Sequence, residues 1–130
     1  MDDFDTSNDV FLADCPARLA VEIIADKWAV VVLYALSQGP RRHGVLIDLI
    51  GGISKKVLTE TVRRLARHGL VERHAFREVP RRVEYELTEL GQTLIEPIRV
   101  LTRWSEDNGA AILAAQEESD ARSAPAEARA

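Results

Sequence analysis

From Ile53 to Val71 the chain reads ISKKVLTETVRRLARHGLV, and the spacing within it admits one kind of element. Leu58, Val62 and Leu65 stand at i, i+4 and i+7, which sets them on one face of a helix. At about 100° per residue, Lys56, Thr59, Glu60, Arg63 and Arg67 fall on the other side. Ser54 offers a hydroxyl that can accept from the free N–H groups of a helix start. Gly69, after His68, can take the left-handed conformation that ends a helix. The expected helix has an apolar side for a core and a basic side for something else. A basic face taken alone is most often only solvated, so its meaning depends on what flanks it.

Upstream, Gly39-Pro40 stops one helix, and a short helix is expected over about residues 42–49 with Val45, Leu46 and Leu49 inward. Gly51-Gly52 then makes a turn before Ser54. A short helix, a tight glycine turn and a longer basic helix form a helix-turn-helix pattern. Downstream, residues 71–76 and 83–87 read as strands, with Val83, Tyr85 and Leu87 alternating with Glu84 and Glu86. Arg77-Glu78-Val79-Pro80-Arg81-Arg82 joins them, so the hairpin has a basic tip and serves as a wing. The expected fold is mainly α with a small antiparallel β-hairpin, a winged helix-turn-helix.

Charge supports a polyanion partner for this region only. The formal net charge is −4, but residues 41–82 hold eleven basic and four acidic residues, a net of +7. The remainder holds six basic and seventeen acidic residues, a net of −11. A compact basic block between acidic ends is an electrostatic footprint for nucleic acid.

At 130 residues the chain suits one domain with a real core. Residues 1–13 are polar and acidic and read as a flexible arm. Asp14 is a candidate cap for a first helix, with Pro16 in its first turn and Leu19, Ala20, Ile23 and Ile24 as its stripe. Asp26 caps the next, in which Trp28, Val31, Val32, Ala35 and Leu36 repeat with helical spacing. Thr88 caps a last helix from Glu89, striped by Leu90, Leu94, Ile98, Leu101 and Trp104, with Pro97 as a kink and Gly109 as a break. The expected domain is 14–108, followed over 109–130 by a short helical extension and a disordered Ala-rich tail. The lone Cys15 excludes a disulfide within one chain and fits a reducing cytoplasm. The longest apolar run, residues 28–36, is too short to cross a bilayer, and the acidic start is unlike a signal peptide. A cytoplasmic protein with no membrane partner is expected.

Taken in order, Cys15-Pro16, Asp26-Lys27-Trp28, Gly39-Pro40-Arg41-Arg42, Gly52-Ile53-Ser54-Lys55-Lys56-Val57-Leu58-Thr59, Leu65, Gly69-Leu70-Val71, Val79-Pro80, Val83-Glu84-Tyr85 and Leu87-Thr88-Glu89-Leu90-Gly91 resemble HxlR-type transcriptional regulators, within the winged helix-turn-helix class. The resemblance spans about residues 15–104; His43-Gly44 departs from it, since the family usually has an aromatic and then a polar residue there. It implies a homodimer, held by its first and last helices, that binds double-stranded operator DNA and usually represses nearby genes. Several such regulators use a cysteine at the place of Cys15 to sense oxidants or electrophiles, and the match carries over to Cys15 alone. The rival reading of Cys15 is a small, chemically quiet interface residue.

A helix in the major groove reads bases mostly with its N-terminal half, which nominates Lys56, Thr59, Glu60 and Arg63, with Arg67 further along the same face. Glu60 has two readings: accepting from a cytosine amine, or pairing with Arg63 or Arg64. Ser54 and Lys55, at the helix start, suit phosphate. Arg77, Arg81 and Arg82 on the wing suit the backbone or minor groove, and Arg41 and Arg42 do so from the preceding turn. His43, His68 and His74 with Cys15 lack metal-ligand spacing, so no metal or cofactor is expected. No Gly-rich phosphate loop and no connectable Ser, His and Asp set points to catalysis. Two other readings stand: a regulator answering a small ligand, with Trp28, Tyr34 and Trp104 around its pocket and Cys15 quiet, and a winged helix used for protein contacts.

Overall fold

The computed structural model describes residues 16–124. Two compact units divide the chain, the boundary falling after Ile95. Among the described residues, the first holds five helices and a three-stranded sheet, and the second is one long helix.

Helix α1 (Pro16–Ala25) begins on its proline, where the missing N–H needs no partner. Its expected cap Asp14, the 1–13 arm and Cys15 lie outside the described residues. Helix α2 (Lys27–Ala35) is capped by Asp26, whose Oδ1 accepts from the N–H groups of Trp28 at 3.0 Å and Ala29 at 3.3 Å. Its inward face is Ala29, Val32 and Leu33, continued by Leu36, while Val31 is exposed and Trp28 is half-buried. Residues 28–36 are apolar on every side of the helix, so periodicity did not select the right face.

Helix α3 (His43–Leu49) buries Leu46, with Ile50 behind it; Val45 and Leu49, expected inward, are exposed. Helix α4 (Lys55–Arg67) starts as expected on Ser54, whose Oγ accepts from Val57 N–H at 3.1 Å. It buries Leu58, Thr61, Val62 and Leu65. At its end Gly69 takes φ +77°, which lets its own N–H reach Ala66 C=O at 3.0 Å and the Leu70 N–H reach Leu65 C=O at 3.0 Å. These two bonds close the carbonyls a helix end leaves open and turn the chain into the sheet.

Strands β2 (Val71–Phe76) and β3 (Arg82–Leu87) pair antiparallel, from Val71 opposite Leu87 to Phe76 opposite Arg82. A third strand, β1 (Arg41–Arg42), pairs with the other edge of β3, Arg41 opposite Tyr85 and Arg42 opposite Glu84. Two residues are too few to show a period of two, so β1 left no trace in the sequence pattern.

The segment after β3 is stapled back onto the end of α4. Thr88 accepts from Gly91 N–H at 3.0 Å, donates to Gly69 C=O at 2.6 Å, and its own N–H meets Leu70 C=O at 3.1 Å. A Cβ on Gly91 would collide with the Leu70 carbonyl, so only glycine permits this approach.

The single last helix expected from Glu89 is two helices. Helix α5 (Glu89–Gln92) is one turn, and α6 (Ile95–Ser123) restarts beyond it. The reason is Pro97. Inside a helix begun at Glu89 it would remove a bond and clash with the preceding turn; as the third residue of α6 it sits where N–H groups need no partner. The break expected at Gly109 does not occur. One interior glycine costs about 1 kcal/mol relative to alanine, and Ala110, Ala111, Ala114 and Ala115 follow it. The tail expected to be disordered from about Ser119 is helical to Ser123, and residues 125–130 lie outside the described residues. Within α6, Val100, Leu101, Trp104, Ile112 and Leu113 are exposed. Among the described residues, no helix is long and apolar enough to cross a membrane.

Candidate nucleic-acid interface

The outward face of α4 is built as its periodicity requires: Lys55, Lys56, Thr59, Glu60, Arg63 and Arg67 are all exposed. Among the described residues none of the charged five enters an ion pair, so Glu60 is not held by Arg63 or Arg64. Two hydroxyls on this face have local work. Ser54 accepts from the backbone as the cap, which leaves its own O–H free to donate to a phosphate. Thr59 donates to Lys55 C=O at 2.9 Å, so toward a base it presents a methyl group and an acceptor oxygen.

Arg64 is the one α4 arginine turned elsewhere. Its guanidinium meets Asp26 Oδ2 at 2.7 Å, tying α4 to the start of α2.

The arginines around the wing separate into engaged and unengaged groups. Arg41 donates through Nε to Ala35 C=O at 2.6 Å, which closes the end of α2 and draws this side chain into a structural bond. Arg82 lies over the Phe76 ring at 3.9 Å, with Glu84 at 3.2 Å and Glu78 at 3.4 Å. Arg42 lies 3.9 Å from the same Glu84. Arg77 and Arg81, at the hairpin tip, are exposed and enter no ion pair among the described residues.

Between the start of α3, the middle of α4 and the wing lies an open cleft of about 820 Å³. Arg42 and His43, Thr59 and Arg63, and Arg73 and Arg81 line it from these three sides. Asp48 and Glu78 are the acidic groups at its edge, so the cleft carries a net positive charge. Low-dielectric walls lined by one sign of charge concentrate the field and draw in anions.

At the cleft, His43 Nδ1 and Tyr85 Oη are hydrogen-bonded at 2.9 Å, their ring centroids 5.8 Å apart. Burial lowers the His43 pKa, and the charges of Lys55 and Arg73 push it the same way. Burial raises the Tyr85 pKa against the opposing charge and hydrogen bond of Arg73. Arg73, His43 and Tyr85 were not anticipated as members of this site. The signal for Arg73 was its place two residues after Val71, since the register puts it opposite Tyr85 on the same side of the sheet. No comparable signal existed for His43, which reaches Tyr85 across 42 residues.

Three of the expected positions also have partners within the protein: Arg41 closes the end of α2, Arg82 is held by two carboxylates and a ring, and Arg42 lies near Glu84. The α4 face, Arg77 and Arg81 stand open to solvent as expected.

Comparison with known proteins adds independent information. Residues 23–112 match the HxlR-like helix-turn-helix family. YtfH of Escherichia coli K12, described as an uncharacterized HTH-type transcriptional regulator, is 36% identical over 109 residues, covering 84% of this chain and 86% of its own. The solved structure of ytfH from Salmonella typhimurium superposes with a TM-score of 0.75 at 33% identity, covering 85% of this chain and 98% of the other. The redox regulator HypR in its oxidised form superposes with a TM-score of 0.67 at 32% identity, covering 72% and 97%.

Proposed function

The chain belongs to the HxlR-like helix-turn-helix family of DNA-binding transcriptional regulators, which are not enzymes, and from that premise we propose how it works: as a homodimeric repressor that inserts α4 into the major groove of an inverted-repeat operator. The observation that carries this reading is the open basic face of α4 beside the positively charged cleft. Lys56, Thr59, Glu60 and Arg63 read base edges, with Arg67 behind them. Ser54 and Lys55 hold phosphate at the helix start. Arg77 and Arg81 reach the backbone or minor groove from the wing. Arg42 contributes from beside the cleft, whereas Arg41 and Arg82 act by shaping α2 and the wing.

A second copy of the chain covers the apolar groups that α6 and α1 leave exposed: Leu101, Trp104 and Ile112 on α6, Leu19 and Val21 on α1. In a two-fold dimer the two α4 helices fall about 34–36 Å apart, one turn of DNA.

Cys15 is the candidate redox switch. The likeness to HypR, itself described as a redox regulator, supports this reading, although Cys15 lies outside the described residues. With a single cysteine per chain, switching requires a bond between subunits or to a small thiol.

The test is binding to the DNA upstream of its own gene against a scrambled duplex, over a salt series, with and without a mild thiol oxidant. Specific binding that falls steeply with salt is expected. Loss on oxidation in the wild type but not in Cys15→Ser is expected if Cys15 is the switch. Equal binding to both duplexes at every salt concentration counts against an operator there. A monomer by light scattering at working concentration defeats the dimer.

A further inference from the structure

The outer face of the wing carries a cluster that lies outside the DNA contacts proposed above. Residues two apart on a strand share a face, so Glu72 and His74 of β2 lie beside Glu84 and Glu86 of β3. The register sets Glu72 directly opposite Glu86, and like charges in that position destabilise a sheet. The fixed cations of this face do not relieve them, because Arg42 and Arg82 both turn to Glu84. Among the described residues, neither Glu72 nor Glu86 has an arginine or lysine partner.

What joins the two carboxylates is His74. Its Nε2 lies 3.2 Å from Glu86 Oε1 and 3.5 Å from Glu72 Oε2. One donor atom from each residue falls within a patch no more than 4.8 Å across. Around a four-coordinate zinc ion, with bonds of about 2.0–2.2 Å, neighbouring donor atoms stand roughly 3.3–3.6 Å apart. Both distances from His74 are already near that range. One imidazole and two carboxylates supply three ligands and two negative charges, leaving a fourth position for water. The nitrogen donor selects a first-row transition ion over calcium or magnesium, which prefer oxygen alone.

We propose that Glu72, His74 and Glu86 form a surface site for a divalent transition-metal ion of the zinc class, clasping the two strands of the wing. The ion replaces a repulsive cross-strand pair with a bridge between β2 and β3, so loading stabilises the folded chain. The site stands on the register of the wing alone and is independent of any operator. Its sequence trace is the Glu72-x-His74 spacing, which puts two ligands on one strand face; Glu86 joins only through pairing.

The experiment uses the full chain, free of any affinity tag, titrated with Co²⁺ as the spectroscopic probe and competed with Zn²⁺. A Cys15→Ser form is titrated in parallel so that the thiol cannot supply the signal. One Co²⁺ per chain is expected in both, with a rise in melting temperature as the ion loads. His74→Ala is expected to abolish this binding, and the isosteric Glu72→Gln to weaken it at least about tenfold. The melting temperature of each metal-free variant reports whether it is folded. Saturable binding unchanged in both folded variants overturns the site, as does binding lost only in Cys15→Ser. No saturable binding to the wild type also overturns it and leaves a cluster of ion pairs.

Discussion

Asp26 and Arg64 stand 38 residues apart and meet at 2.7 Å. The same carboxylate caps α2 through its other oxygen, so one side chain starts a helix and clamps the basic helix α4 against it. Replacing Asp26 with alanine removes both bonds and is expected to cost about 1–2 kcal/mol, mostly the cap. Arg64→Ala is expected to cost less than about 1 kcal/mol, because the arginine side chain is half exposed and water screens the pair. Urea denaturation of the two variants checks the order; equal losses would mean the cap contributes nothing.

Neighbouring arginines on α4 are expected to behave oppositely. Arg63→Ala should weaken DNA binding with little change in stability, while Arg64→Ala should change stability more than binding. Lys55→Ala should lower the slope of log affinity against log salt by about 0.9, one phosphate contact. Fluorescence anisotropy over a salt series measures this, and an unchanged slope removes Lys55 from the backbone contacts.

Thr61 is fully buried in α4 and, among the described residues, its hydroxyl has no hydrogen-bond partner. A buried polar group left unpaired costs about 1–3 kcal/mol. Thr61→Val keeps the shape and removes the hydroxyl, so the midpoint of chemical denaturation is expected to rise. A fall would show that the hydroxyl is satisfied in solution.

Two glycines should answer an added methyl group in opposite directions. Gly91→Ala drives a Cβ into the Leu70 backbone and should destabilise by at least about 1–3 kcal/mol. Gly109 lies inside α6 with nothing near its missing Cβ, so Gly109→Ala should stabilise by up to about 1 kcal/mol. Thermal melting of the pair tests both, and similar shifts for the two would contradict the packing described here.

His43 is expected to give a pH signature. Its folded pKa lies below its ordinary 6.5, chiefly from burial, so the unfolded chain binds the proton more readily. Stability therefore falls as pH drops through 6.5 and levels off below the folded pKa; above 6.5 this group contributes no slope. His43→Gln should flatten the stability profile on the acid side alone. An identical acid-side slope in the two proteins would assign the effect to other groups.

Much of the fold was legible because its signals are local. The cap at Ser54, the glycine exit at Gly69, the alternation through Tyr85 and the basic face of α4 each follow from a few neighbouring residues. The two errors in the last helix share a physical origin. Pro97 within a helix from Glu89 predicts a kink, but the chain avoids that strain by restarting the helix two residues before it; Gly109 predicts a break, but a run of alanines carries the helix past it. The inward face of α2 was not legible, since a segment apolar all round has no period to read.

The sequence by itself determined the helix-turn-helix and the hairpin that follows it, the face of α4 that meets solvent and the concentration of positive charge between residues 41 and 82, because periodicity, capping and charge are properties of adjacent residues. Only the tertiary structure decided which charges remain free. Arg63 and Arg64 are neighbours in the chain, yet one faces outward and the other faces Asp26; Arg41 and Arg82 are held inward while Arg77 and Arg81 stand open. Such partners lie across strand register and helix packing, where distance along the chain carries no information about distance in space.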